Sequence, residues 1–291
     1  MADYVIMLNN DKPFTTAILK KDAIIYCKRD YIDHLFENLK FSNRNYILIT
    51  HASDYAVSQT EFNRKPKCIK KWFAENTNYS HPDLIPIPIG LAPDQDIDST
   101  PLDVKWFLNN IEKFQSTPKN ETTLYCNWTN NNNPKLRTNV LNKLAANNIK
   151  YIWDYPSLSD ETNAKVQTLF KQMQGSKNPD IVQSLKEEIS DLQYYYTYCN
   201  NMSKYKFVIA PEGNGIDTHR VWEALYMNSI PIVLNSHAFN GMEQLPIIKV
   251  NDYSEVTYDL LSQALYKEYN YDQLSMDYWT NKIENNLMKY K

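Results

Sequence analysis

The sequence predicts an α/β protein of two domains, and three observations carry that reading. Short apolar runs alternate with helical segments along the 291 residues, the pattern of helices layered on sheets. The length suits two domains of ordinary size, each with a core of its own. Hydrophobic residues make up 43% and charged residues 22%, which is ordinary for a soluble globular chain.

The first domain is expected over residues 1–115. AIIYC (Ala23 to Cys27) reads as a strand, followed by a helix through Ile32 to Leu39. YILIT (Tyr46 to Thr50) is a second strand, and HASDYAV after it is a polar loop leading on to a helix. KCIKKWFAEN is amphipathic, with Ile69, Trp72 and Phe73 on one helical face. The prolines of LIPIPIG confine that extended segment to a sheet edge or a loop. Residues 99–119 read as a helix and linker. The second domain, residues 116–291, opens with the strand TLYCNW (Thr123 to Trp128), a helix from Pro134 to Asn147 and the strand KYIWD. A polar helical region over 159–198 is divided in two by Gly175, Ser176 and Pro179. The strands KFVIA, IPIVLN and IIKV follow, with helices from Thr257 onward.

A formal net charge of -3 and a pI near 6.0 exclude the basic excess of a nucleic-acid binder, while leaving room for a local basic site. No apolar run approaches the ~18 residues that span a bilayer, and MADYVIMLNNDKPF lacks the charged head and apolar middle of a secretory signal. A cytoplasmic location is therefore expected, with peripheral membrane attachment only through a partner or an interfacial surface. Cys27, Cys68, Cys126 and Cys199 are far apart with no CxxC pair, so buried reduced thiols are expected. The sequons at Asn78, Asn120, Asn127 and Asn201 are then chance products of an asparagine-rich chain.

Two of only five glycines, Gly213 and Gly215, fall in PEGNGID, between the apolar strand FVIA and the helix THRVWEALYM. Glycines in a strand-to-helix turn permit positive φ and close approach of another group. The helix start behind them offers free N–H groups and the positive end of a dipole, a ready anion site. Asp217 or Thr218 would cap the helix, leaving His219 and Arg220 in its first turn. Arg220 and Glu223, spaced i, i+3, project along one face. The guanidinium suits a diphosphate and the carboxylate a ribose diol. An ordinary intrahelical ion pair is the alternative.

The block PEGNGIDTHRVWEALYMNSIPIV resembles the C-terminal signature of exostosin-like glycosyltransferases, especially bacterial and viral members. YILITHASDY, KKWFAEN, IPIPIG and TLYCNWTNNNNPKLR match the family's earlier blocks in order, so the resemblance covers about residues 20 to 260. Asn228 stands where the family often has glycine, and asparagine tolerates the same left-handed cap. The resemblance implies a GT-B fold, two Rossmann-like domains facing across a cleft, with a nucleoside diphosphate sugar held by the second. It implies transfer of a hexosyl or pentosyl group to a glycan, glycoconjugate or other hydroxyl acceptor, with a UDP-sugar the first donor to expect and no separate cofactor.

By position, the loop Gly213–Asn214–Gly215, with Thr218 and His219, would approach the diphosphate. Arg220 would neutralise it, Glu223 would bind the ribose, and Arg137 is a second diphosphate candidate. Asn127 and Thr129 could line the cleft. Trp153 and Tyr155 could stack the base, with core packing the alternative. The leaving diphosphate needs electrostatic stabilisation, and GT-B enzymes supply it from a helix dipole and basic residues. Metal independence is expected, since Asp94, Asp96 and Asp98 fit a DxD spelling only in a proline-flanked loop. An inverting enzyme also needs a general base. HASD follows a strand directly, which makes Asp54 the first candidate and His51 the second, with a helix cap the alternative for Asp54. The rival functions are a non-catalytic nucleotide- or glycan-binding protein and a hydrolase using the anion loop and Asp217.

Overall fold

A computed structural model of the chain describes residues 4–6, 23–92, 104–154, 160–192 and 194–290. The fold is α/β, built on two five-stranded sheets in which every pairing is parallel.

The first sheet contains β1 (Tyr4–Ile6), β2 (Ala23–Lys28), β3 (Tyr46–His51), β4 (Ile69–Ala74) and β5 (Leu84–Pro86), side by side in chain order. Two of its connections carry α1 (Ile32–Leu39) and α2 (Gln59–Asn63), the latter held by a Ser58–Glu61 capping box. Right-handed crossovers in a sheet that grows in one direction place their helices on one face. Accordingly Ile32, Leu35, Phe36 and Leu39 of α1 and Phe62 of α2 share a core with Ile25, Cys27, Leu48 and Trp72. Residues of the opposite strand faces, Ile24, Ile47, Ile49 and Phe73, belong to a different core.

The segment 69–74 corrects the helical reading of KCIKKWFAEN. It is the strand β4, between β3 and β5, and its residues feed both faces. Trp72 packs with α1 and α2 while Phe73 points into the other core. A strand buried on both sides reads as a continuous apolar run, here disguised by Lys70 and Lys71 at its start. The helix that the polar loop leads to is α2, which precedes β4. β1 was not anticipated, since YVI is too short to stand out. Of the prolines of LIPIPIG, Pro86 ends the edge strand β5 and Pro88 lies in the loop after it.

The second half runs α3 (Val104–Asn109), α4 (Ile111–Ser116), β6 (Asn120–Cys126), α5 (Pro134–Ala146), β7 (Tyr151–Trp153), α6 (Asp160–Gly175), α7 (Pro179–Leu192) and α8 (Tyr194–Met202). β8 (Tyr205–Ile209), α9 (His219–Tyr226), β9 (Ile230–Leu234), β10 (Ile248–Val250), α10 (Tyr258–Leu265) and α11 (Met276–Met288) complete it. The polar helical region breaks between α6 and α7, where Gly175, Ser176 and Pro179 were expected to divide it. Asn228 takes the left-handed conformation after α9, with φ 61°, as the cap reading expects. The four cysteines are free and buried.

Strand order in the second sheet is β10-β9-β8-β6-β7. The chain therefore leaves β6 toward one edge, returns, and builds from β8 toward the other. That reversal creates a crevice at the carboxyl ends of β6 and β8, where open parallel sheets hold ligands.

Val221, Trp222 and Leu225 of α9, Phe239 and Met242 after β9, and Trp279, Ile283 and Leu287 of α11 cover the free face of the first sheet. The C-terminal helix, counted with residues 116–291 in the sequence reading, packs on β3. Trp279 is anchored there by a hydrogen bond from Nε1 to the Gln273 carbonyl, 2.8 Å. Trp279→Ala is expected to cost roughly 3–5 kcal/mol and to leave one cooperative unfolding transition, because both halves share this core. Chemical denaturation followed by tryptophan fluorescence and circular dichroism checks it; unchanged stability would contradict the packing role of α11.

Candidate functional site

The crevice between β6 and β8 is laced by Arg137, which α5 projects into it. Its Nη1 donates to the Thr129 carbonyl after β6 (3.0 Å). Its Nε and Nη2 donate to the Glu212 and Pro211 carbonyls after β8 (2.8 and 3.3 Å). Three of five N–H groups are thus spent on backbone, and Arg137 first holds the two loops at their spacing. Burial, aided by the nearby Arg220 cation, lowers its pKa to about 10.

Arg220 lies in the first turn of α9. The intrahelical ion pair with Glu223 does not form: both Glu223 oxygens accept phenol hydrogen bonds, from Tyr195 (2.8 Å) and Tyr198 (2.7 Å). Glu223 is buried, so a ribose diol would reach it only by replacing one of those hydroxyls. Arg220 forms no ion pair among the described residues, and its buried Nε has no hydrogen-bond partner. Trp128 Nε1, just past β6, and the Tyr253 hydroxyl, just past β10, are likewise buried without a partner. Burial raises the Tyr253 phenol; Glu212 adds to that shift, and Arg220 and Arg137 oppose it, which puts all four in one electrostatic neighbourhood. Buried polar groups are normally satisfied. Here unsatisfied donors gather around two cations at the switch point. Trp128 and Tyr253 escaped the sequence reading because neither sits in a recognisable motif.

The glycine loop does something different from what its spelling suggests. Neither glycine has a positive φ; both make room. A Cβ on Gly213 would stand 3.2 Å from Arg137 Nη2, and one on Gly215 would stand 2.8 Å from Asn76 Nδ2 of the first domain. Asn76 accepts a hydrogen bond from the Asp217 N–H (2.8 Å) and donates to the Ser53 carbonyl (3.0 Å). Asp217 is buried, accepting from the Ile89 N–H (2.9 Å), Trp222 Nε1 (2.8 Å) and the Thr218 N–H (2.8 Å). Nδ1 of His219 donates to the Gly90 carbonyl (2.8 Å). Exposed Asn214 reaches Asp54 (3.3 Å). Gly215, Asp217 and His219 therefore clasp the first domain. Thr218 is the N-cap of α9 by position, but its side chain makes no capping bond.

Opposite the loop, at the ends of β3 and β4, stand His51, Ser53, Asp54 and Glu75. Asp54 is exposed and does not cap the next helix, whose N-cap is Ser58. Glu75 is 2% exposed. One of its oxygens accepts from the Ser53 N–H (2.6 Å) and the other lies 3.3 Å from His51 Nε2. Burial, reinforced by Asp217, Asp54 and Asp30, raises its pKa to about 8, and burial lowers that of His51. Sequence reading missed Glu75 because its segment was taken as helix; as the first residue past a buried strand, it falls where ligand-facing groups lie.

Of the remaining candidates, Asn127 is buried and donates to the Asp154 carbonyl (2.6 Å). Trp153 packs edge-on against Trp128, centroids 4.8 Å apart, in the core reading rather than as an open stacking platform. Tyr155 and the acidic triplet Asp94, Asp96 and Asp98 lie outside the described residues. Among the described residues no group of three or more His, Cys, Asp or Glu is arranged to hold a metal ion. No protein-family model matches the chain, and no curated protein is significantly similar to it.

Two outcomes follow for stability. Gly215→Ala drives a methyl into an Asn76 side chain fixed at both ends, an overpacking cost of about 1–3 kcal/mol; a melting temperature equal to wild type would mean that the domains do not meet as described. Glu75 titrates at about 8 when folded against an ordinary 4.5. Between those values the folded state holds a proton that the unfolded chain has lost, so its contribution to stability falls as pH rises from 5 to 8. Denaturation at several pH values should show Glu75→Gln gaining on wild type across that window, and a constant difference would contradict the shift.

Proposed function

We propose that the chain is a glycosyltransferase of GT-B type that binds the diphosphate of a nucleoside diphosphate sugar at the β6–β8 crevice. The observation that carries this reading is the pair Arg137 and Arg220, near each other there without a carboxylate partner among the described residues and beside unsatisfied N–H and O–H donors. Two like charges brought together in a half-buried site cost free energy, and a dianionic group of the length of a diphosphate removes that cost. The position at the switch point of a doubly wound sheet supports the same ligand class. Arg220, with Nε unspent, is the direct anion ligand. Arg137 keeps the loops on either side in place and contributes charge.

On this reading the groups that take up charge on the leaving diphosphate are guanidinium groups and the start of α9, in a site shielded by the first domain. The hydroxyl acceptor approaches from the side of β3 and β4, where His51, Asp54 and Glu75 stand. A UDP-sugar is the first donor to try. The order of the sequence blocks supports the transferase over a binding module that keeps the fold, because the acceptor-side polar groups remain in place opposite the anion site.

The test is a panel of UDP- and GDP-sugars with glycan acceptors, scored by mass of the product, with and without a chelator. Transfer that persists under chelation is expected. Binding of a nucleotide with no transfer to any acceptor and no sugar hydrolysis would favour the binding-protein alternative. For Arg220→Ala, loss of a charge-assisted contact of about 1.5–3 kcal/mol should weaken nucleoside diphosphate binding by roughly 10- to 100-fold with little change in melting temperature. Calorimetry decides; unchanged affinity would remove Arg220 from the site.

A further inference from the structure

The buried carboxylate of Glu75, 3.3 Å from His51 Nε2, has no role so far. We propose that Glu75 and His51 form a proton-accepting pair in which Glu75 positions the imidazole and His51 Nδ1 takes the proton of the acceptor hydroxyl. This rests on the transferase reading and names its acceptor-side machinery.

The geometry fixes the tautomer. Nε2 of His51 bonds the Pro88 carbonyl at 3.1 Å, and Glu75 Oε2 lies 3.3 Å from it as a charge contact without a hydrogen bond. A carbonyl only accepts, so the ring proton belongs on Nε2. That leaves Nδ1 as the accepting nitrogen; besides the Pro88 carbonyl, the ring has the Ile89 backbone against it. Glu75 cannot swing away, since its other oxygen is tied to the Ser53 N–H and its side chain is 1% exposed. His51, at 30%, is the member that a substrate can touch. Its near electrostatic neighbour is His219, which precedes Arg220 in α9. Exposed Asp54 has a contact from the Asn214 amide (3.3 Å) but none of the burial that fixes Glu75, which makes His51 the better proton acceptor.

In the transfer step the acceptor oxygen bonds to the anomeric carbon as that carbon's bond to the diphosphate oxygen breaks. The electron pair of the broken bond leaves on the diphosphate, and the hydroxyl proton passes to Nδ1. The resulting imidazolium faces the Glu75 carboxylate, which stabilises it, as an orienting carboxylate does for a catalytic histidine. Tyr26, Asp30, Asp54, Asp217 and His219 also bear on the pair. Burial and acidic neighbours hold a proton on Glu75 toward alkaline pH, while burial lowers His51 and keeps its ring neutral. Turnover should therefore rise with pH as Glu75, whose pKa burial raises, loses its proton.

Two measurements on the full-length chain test this. Long-range 1H–15N spectra of histidine-labelled protein above pH 8 should show His51 with Nε2 protonated and Nδ1 bare; a proton on Nδ1 overturns the proposal whatever the activity. Transfer from the active nucleotide sugar is then followed against pH for wild type and Glu75→Gln, with nucleotide affinity and melting curves as controls. The variant should lose about 10²-fold in turnover at alkaline pH and its rising limb should move to lower pH, with nucleotide affinity unchanged. An active wild type whose pH profile is shared by Glu75→Gln rejects the role of Glu75. A wild type that transfers from none of the donors instead rejects the transferase reading itself, and with it the catalytic part of this one.

Discussion

The architecture depends on the uncovered face of the first sheet. Five parallel strands laid down in chain order carry α1 and α2 on one side only, and Ile24, Ile47, Ile49 and Phe73 on the other side must find a cover. At about 25 cal/mol per Å² of apolar surface removed from water, an exposed sheet face would be a severe cost for a chain of this size. The cover comes from α9 and α11, parts of the chain more than a hundred residues away. The two halves consequently have a shared core and a fixed relation to each other, and that relation brings the end of β3 and β4 against the loop after β8.

The same packing explains why the PEGNGID loop has its particular residues. Gly215 lets Asn76 approach, Asp217 ties the first domain's Ile89 to α9 through Trp222, and His219 bonds Gly90. These residues position the start of α9, and with it Arg220. Arg137 does the equivalent work from below by bridging the loops after β6 and β8. That short stretch divides its labour: most of its polar residues bond the loops of the first sheet, and Arg220 has no ion pair among the described residues.

Much of this was legible in the sequence where the signal is local. AIIYC, YILIT and KFVIA are apolar runs bounded by polar residues, and they are strands; Ile32 to Leu39 has the spacing of a half-buried helix and forms one. The KKWFAEN segment failed because a strand buried on both faces carries no period of two, and its spacing happens to imitate a helix. Candidate site residues were legible as types but not as partners. Arg220 and Glu223 lie three apart, yet Glu223 is claimed by Tyr195 and Tyr198 from α8, contacts that no spacing encodes. Glu75, Trp128 and Tyr253 became visible only when the sheets were assembled, because each depends on strand order.

The central claim is that an anionic ligand belongs at the β6–β8 crevice beside Arg220. A crystal structure of the protein with bound UDP tests it most directly. The account predicts diphosphate density between the loop after β6 and the loop after β8, with a phosphate oxygen within hydrogen-bond distance of the Arg220 guanidinium. Well-ordered UDP at any other place on the molecule, with that crevice still empty, would contradict it.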